Sequence, residues 1–273
     1  MPNTDKFPSR IALQVEYDGT VYSGWQKQHS PLLPTLQGEV EKVLSQIADQ
    51  PITVTCAGRT DAGVHATCQV VHFDCNIDRG TDAWVKGSNS LLPGTIRVLW
   101  ARTVTEEFHA RFSATARRYN YVICQRKIAP AILVQRITHI RASLDVAAMN
   151  VAAGYLVGEN DFSSFRAAGC QSQSPHRHVM QANVCRRGAF IILDIKANAF
   201  LQHMVRNIVG ALLEIGRAKQ SPDWIQTLLT AKDRTQAATT AAPDGLYLVE
   251  VSYPRHFNLP VTYALPSFLD TAE

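Results

Sequence analysis

The chain has no Cys-x-x-Cys pair, no apolar run long enough to cross a bilayer, and no Gly-x4-Gly-Lys-Ser/Thr phosphate loop. Each absence removes a class of protein. Six cysteines (Cys56, Cys68, Cys75, Cys124, Cys170, Cys185) are scattered along the sequence. Without an export signal they read as reduced core thiols, not as a disulfide framework. The longest uncharged windows, such as Val146 to Gly158, are too short for a membrane helix. The first residues, Met1 to Phe7, lack the apolar centre of a secretory signal, so a cytoplasmic location without membrane partners is expected. The missing phosphate loop argues against nucleotide-driven phosphotransfer. Disorder is excluded as well: apolar residues make up 46 % and charged residues only 18 %. With 273 residues there is enough chain for one large domain or two modest ones with real cores.

Acidic residues are also missing locally, and that absence is more informative than the net charge of +4. From Phe108 to Arg141 the basic residues are Arg111, Arg117, Arg118, Arg126, Lys127, Arg136 and Arg141, with no Asp or Glu among them. From Phe162 to Leu193 come Arg166, Arg177, Arg186 and Arg187, again without an acid. Arginine-rich stretches of this kind suit a phosphate backbone, because guanidinium donates to phosphate oxygens in pairs. A solvated basic surface would read the same way. The segments lack the spacing of an amphipathic membrane helix.

What is present is an ordered alternation of elements. Ile11, Leu13, Val15 and Tyr17 alternate with Ala12, Gln14 and Glu16, which predicts a half-buried strand. Leu36, Val40, Val43, Leu44 and Ile47 follow helical spacing after Pro34. Strands are expected at Ile52–Cys56, Gln69–Phe73 and Ile96–Trp100, with a short helix near Ala83–Ser90. The second half predicts strands at Arg118–Cys124, Gln181–Cys185, Ala189–Ala197 and Leu246–Tyr253. Its helices are expected at Leu144–Leu156, Leu201–Gly216 and Pro222–Ala231. Each half reads as strand, helix, strand, strand, helix, strand. That order implies an α/β protein of the α+β type: two similar domains, each a mostly antiparallel sheet with helices on one face. The halves are residues 1–107 and 108–273. The ends, Met1–Ser9 and Leu265–Glu273, are expected to be loose.

Three segments could carry chemistry. The first is Ala57-Gly58-Arg59-Thr60-Asp61-Ala62-Gly63-Val64-His65-Ala66, a glycine-flanked loop between two strand patterns. Asp61 there is either a turn residue or a lone nucleophile beside the guanidinium of Arg59. Paired-carboxylate glycoside chemistry is disfavoured, since no second acid lies near; Asp74 is expected on the exposed face. The second segment runs from Phe108 to Ile123, where Tyr119 and Tyr121 share a strand face as a stacking platform for a base or as core tyrosines. The third runs from Ala197 to Gly210. Its apolar stripe (Leu201, Met204, Val205, Ile208, Val209) is bordered by Arg206, which either meets an anion or reaches to water. A fourth group, Cys170, His176 and His178, lacks the fourth ligand of a structural zinc site.

The loop, together with Phe108–Ile123 and Ala197–Gly210, resembles the tRNA pseudouridine synthases of the TruA family. Tyr17-Asp-Gly-Thr20, Gly24-Trp-Gln-Lys-Gln28, Asn89-Ser-Leu-Leu-Pro-Gly94, Asp161–Arg166 and Gly245-Leu-Tyr-Leu248 extend the likeness in order over most of Ile11 to Tyr253. Ala66 and Cys68 depart from it, standing where smaller residues or glycine are expected. The resemblance implies a catalytic cleft between the two domains, Asp61 as nucleophile and Tyr119 packed on the target uracil. It further implies Arg206 as the partner of the catalytic carboxylate, Leu246 lining the uracil pocket and Arg59 beside the vacated base position. The implied reaction is isomerisation of uridine to pseudouridine at positions 38 to 40, in the anticodon arm of tRNA. No cofactor or metal is implied, and a homodimer is. Attack at ribose C1′, attack at uracil C6 and a glycal route remain equally compatible. Two rival readings are a non-catalytic RNA-binding module and a metal-dependent nuclease or deaminase.

Overall fold

The computed structural model describes residues 9–28, 33–260 and 263–269. They form two compact units, Met1–Thr115 with Leu248–Pro266, and Ala116–Tyr247 with Ser267–Glu273. The expected loose first eight and last four residues lie outside the described residues.

In the first unit, β1 (Ser9–Tyr17) is followed by α1 (Leu36–Ala48), β2 (Thr55–Cys56), β3 (His65–Cys75), α2 (Ser88–Leu91) and β4 (Ile96–Val104). Strand β1 lies between β3 and β4, antiparallel to both, with Leu13 opposite Val71 and Ala101. The alternation in β1 predicts one wet face, but Ala12 and Gln14 are fully buried as well. Gln14 tolerates this because its amide donates to the Thr67 carbonyl (3.1 Å) and accepts from the Trp100 indole.

Thr35 caps α1 by accepting from the Gly38 N–H. Of its expected apolar stripe Leu36, Val40, Val43 and Leu44 are buried and Ile47 is half-buried, and Glu41 is buried as well. The Glu41 carboxylate accepts from Lys27 Nζ (2.8 Å), Gln37 Nε2 (2.8 Å) and Val54 N–H (3.0 Å). This explains why β2 is shorter than Ile52–Cys56: the Ile52 and Val54 N–H groups are taken by Ser45 and Glu41 side chains instead of a neighbouring strand. Strand β3 runs longer than Gln69–Phe73 and is buried throughout except at Asp74. That residue is exposed as expected, and it pairs with Arg10 opposite (2.7 Å). The helix expected near Ala83–Ser90 divides into a π-helical turn at Ala83–Gly87 and α2.

The second unit contains β5 (Ala116–Gln125), β6 (Thr138–Ile140), α3 (Val146–Gly154), β7 (Gly158–Asp161), β8 (His176–Arg187), β9 (Phe190–Ala197), α4 (Met204–Gly216) and α5 (Trp224–Ala231). Strands β5, β9, β8 and β7 are successive antiparallel neighbours, and β6 runs parallel beside β5. Strand β10 (Leu246–Ser252) begins in the second unit and ends in the first. The architecture is therefore the expected mixed α/β type with mostly antiparallel pairing. Helix α4 starts later than Leu201 because His203 sits in the left-handed region at φ +61. The stretch from Leu265 is not wholly loose. Leu269 is buried, and Phe268 packs on Phe190 (5.8 Å) and Tyr247 (6.1 Å).

Candidate active-site residues

Asp61 lies on the loop between β2 and β3. Its carbonyl accepts from Val64 N–H (3.2 Å), closing a turn in which Gly63 has φ +77. Glycine is favoured at that turn position because a side chain there would be strained. The loop is clamped from below. Gln69, fully buried, donates from Nε2 to the Gly58 carbonyl (2.6 Å) and accepts from the Gly58 N–H (3.4 Å). The Tyr17 and Thr60 hydroxyls share a hydrogen bond of 2.9 Å, and Trp25 N–H donates to the Thr60 carbonyl (3.0 Å). Gly24 has φ +97, and a Cβ there would stand 2.9 Å from that same oxygen. Arg59 is exposed on this clamped loop and Asp61 is half-buried.

The Tyr17–Thr20 segment braces the other end. A Cβ on Gly19 would lie 2.0 Å from the Val64 carbonyl oxygen. Burial raises the Asp18 carboxyl, but bonds from His65 and from the Thr20 hydroxyl (2.6 Å) and N–H (3.0 Å) outweigh it and hold the group well below its ordinary value. Nδ1 of His65 is 3.1 Å from Gly19 N and 3.2 Å from Asp18 Oδ1. One nitrogen cannot accept from the first and donate to the second together. Nδ1 accepts from Gly19 when it is bare and donates to Asp18 when it carries a hydrogen. Cys56, at the loop's entry, is buried. Burial pushes its thiol up to about 12, against opposing fields from Arg59 and Arg111.

Tyr119, Arg206 and Leu246 belong to the second unit. Tyr119 is buried on β5, opposite Ile195, and meets Phe200 edge-on at 5.1 Å. Tyr121 is a core tyrosine: its hydroxyl meets Thr138 (2.6 Å) and donates to the Ala242 carbonyl (2.8 Å). Burial pushes that phenol up, with Asp244 adding to the rise and Arg206 opposing it. Arg206, half-buried on α4, donates from Nε to the Ala241 carbonyl (2.8 Å). Neighbouring Asn207 is buried and accepts from Thr240 (2.6 Å) and Arg234 (3.1 Å). The segment 239–241 is thereby strapped along α4 and fixes one side of the Arg206 guanidinium. Leu246 is buried at the start of β10.

Several arginines of the acid-poor segments serve the fold. Arg118 pairs with Asp194 on β9 (2.7 Å), and Arg117 is buried with a bond to the Asn198 carbonyl (3.0 Å). Arg166 donates to the Cys170 and Ser172 carbonyls (2.8 and 2.7 Å). Arg126, Lys127, Arg136, Arg141, Arg186 and Arg187 are exposed. Among the described residues no three His, Cys, Asp or Glu side chains group as a metal site requires, Cys170, His176 and His178 included. No described helix is long and apolar enough to cross a membrane. Sequence reasoning missed Gln69 and Thr60 as supports of the loop. Tyr17 and Gly24 stood in quoted motifs without an assigned role.

Comparison with known proteins gives the family. The family model described as tRNA pseudouridine synthase matches residues 13–113 and 152–254, which include Asp61 and Arg206. The chain belongs to this family. It is 56 % identical over 260 residues to a tRNA pseudouridine synthase A of Vibrio cholerae, covering 95 % of this chain and 98 % of that one. A tRNA pseudouridine synthase A of Klebsiella pneumoniae is also 56 % identical, at 95 % and 96 % coverage. One of Shewanella piezotolerans is 55 % identical, at 95 % and 99 %. A solved Cbf5–Nop10–Gar1 complex aligns over 91 % of this chain and 59 % of its own at 9 % identity and a TM-score of 0.33, too low to bear on the fold.

Proposed function

We propose that the protein isomerises uridine to pseudouridine in tRNA, at positions 38 to 40 of the anticodon arm, with Asp61 as the nucleophile. The observation that carries this reading is the loop itself. Asp61 stands within a family match, on backbone held at Gly58, Thr60 and Val64 by partners from three separate segments, Gln69, Gly24–Trp25 and Tyr17–Thr20. Preorganisation of this kind serves a nucleophile that must meet one atom of a large substrate.

The reaction breaks the uracil N1–C1′ bond and forms C5–C1′. The proton lost from C5 is matched by the proton gained at N1, so atoms and electrons balance without a redox partner or leaving group. A carboxylate that adds to an electrophilic carbon and later departs divides this exchange into two easier steps. The target base must first leave its stack, at a cost of a few kcal/mol in a paired stem. Arg59, exposed beside the nucleophile, is suited to fill the vacated space or hold the adjacent phosphate. Tyr119 and Leu246 supply apolar packing for uracil, and Arg206 the balancing positive charge. The protein acts as a cytoplasmic homodimer with tRNA as its macromolecular substrate.

Incubating the protein with unmodified tRNA transcript and mapping pseudouridine by nucleotide tests the reading. Product confined to positions 38 to 40 is expected; product elsewhere, or none, contradicts it. Sedimentation at micromolar concentration checks the dimer, and a fully active monomer would remove that part of the proposal.

A further inference from the structure

Phe112 is the only exposed phenylalanine among the described residues, at 76 % relative exposure. Its exposure is not the looseness of a loop. Nδ1 of His109 accepts from the N–H groups of both Arg111 (3.2 Å) and Phe112 (3.1 Å). Ser113 N–H donates to the His109 carbonyl (2.9 Å), and His109 N–H donates to the Ser113 hydroxyl (2.9 Å). Four hydrogen bonds within five residues thus fix the turn from which the ring projects.

The ring is also supported from below. His109 stacks on Phe112 with centroids 4.3 Å apart and planes 29° from parallel. His109 in turn rests on His72, 4.8 Å away, and His72 is buried, with Nδ1 accepting from Ala110 N–H (3.1 Å). Three rings therefore form a ladder from the core of the first unit to solvent. The Arg111 guanidinium stands over the Phe112 ring, 5.5 Å from its centroid, a loose contact that leaves the ring 76 % exposed. Burying a phenylalanine within the fold is worth about 1.5–3 kcal/mol, so holding one rigidly in water calls for an external partner.

An aromatic face with an adjoining guanidinium fits an unstacked base and its phosphate. The charge on the chain that follows it favours nucleic acid over a second copy of the chain, with Glu106 and Glu107 lying on the preceding side. No Asp or Glu occurs from Phe108 to Leu144. A two-fold contact centred on Phe112 would set Arg111 against its own counterpart.

We propose that Phe112 is a stacking platform for one unpaired base of the RNA substrate, with Arg111 taking the neighbouring phosphate. The inference rests on the tRNA reading above and assigns a binding residue outside Asp61, Arg59, Tyr119, Arg206 and Leu246.

The test is the Kd of unmodified tRNA transcript for Phe112→Ala, Phe112→Leu, Phe112→Tyr and Phe112→Trp, with sedimentation of each variant. F112A and F112L are expected to bind about 5- to 150-fold more weakly, the equivalent of ~1–3 kcal/mol for one base–aromatic stack. Their kcat/KM falls by the same factor, while F112Y and F112W retain wild-type affinity. Because stacking releases no counterions, F112A keeps the wild-type slope of log Kd against log salt, whereas Arg111→Ala flattens it. Wild-type affinity in F112A overturns the inference and leaves the functional reading intact. So does F112L binding as well as F112Y, since apolar burial without stacking would then suffice. A shift of F112A from dimer to monomer overturns it in favour of an interface between copies. Wild-type protein that does not bind tRNA overturns the functional reading and this inference together.

Discussion

Gln69 and Thr60 fix the backbone at Gly58 and Thr60, the stretch that leads into Asp61. A buried amide that accepts from the N–H of Gly58 and donates to its carbonyl substitutes for a missing strand neighbour there. The hydroxyl pair of Tyr17 and Thr60 fixes the next link. Removing one hydroxyl deletes this bond, at about 0.5–1.5 kcal/mol, while in Thr60→Val the Tyr17 oxygen still accepts from Gln69 Nε2 (3.4 Å). Thr60→Val and Tyr17→Phe are expected to lower kcat roughly tenfold to a hundredfold with little change in KM, while Thr60→Ser stays near wild type. Equal kinetics for Thr60→Val and Thr60→Ser would remove the role of the hydroxyl. The sequence reveals Asp61 and Arg59 because the chemistry and its glycines are contiguous. It conceals Gln69, because its partner Gly58 lies across a loop and no spacing rule links an amide to a distant peptide group.

Helix α4 shows how an element acquires a role beyond its propensity. Its stripe from Met204 to Leu212 is legible from spacing, and α1 and α5 are legible in the same way. Strands β6 and β7, of three and four residues, are too short to express an alternation. Gly210 in α4 reads as a weak point, since glycine costs a helix about 1 kcal/mol relative to alanine. Packing reverses that expectation. A Cβ at Gly210 would stand 2.1 Å from the Thr239 carbonyl oxygen, in the strap whose Ala241 carbonyl holds Arg206. Gly210→Ala is therefore expected to destabilise by roughly 2 kcal/mol or more and to impair catalysis. Gly154→Ala, where nothing lies within 4 Å of the added carbon, should be neutral or slightly stabilising. Urea midpoints of the two variants decide this, and equal stability in both would contradict the packing account.

At the scale of the whole molecule, charge is the property the sequence overstated. Arg117, Arg118 and Arg166 are committed to internal partners, so the basic surface is smaller than the acid-free segments suggest. Acid sensitivity follows from the same interior. Burial first, then Arg10 and His109, push His72 down to about 4 despite the opposing Asp74. The folded state thus keeps this ring neutral where the unfolded chain, at its ordinary 6.5, binds a proton. Its contribution is fully present above pH 6.5. It is lost as pH falls from there toward 4, at up to ~1.4 kcal/mol per pH unit. Urea unfolding at pH 7 and pH 5 should show that loss in the wild type. His72→Asn, which keeps an acceptor for Ala110 but cannot titrate, should show a shallower dependence; an identical pH dependence would locate the sensitivity elsewhere. Asp18, held well below its ordinary value, adds a loss only below about pH 4.

The most direct test of the central claim is single-turnover pseudouridine formation on unmodified tRNA by wild type and Asp61→Asn, with tRNA affinity measured alongside. Product at positions 38 to 40 is expected from the wild type. None is expected from Asp61→Asn, which still binds tRNA. Equal product from both proteins would show that Asp61 is a turn residue and that the nucleophile lies elsewhere.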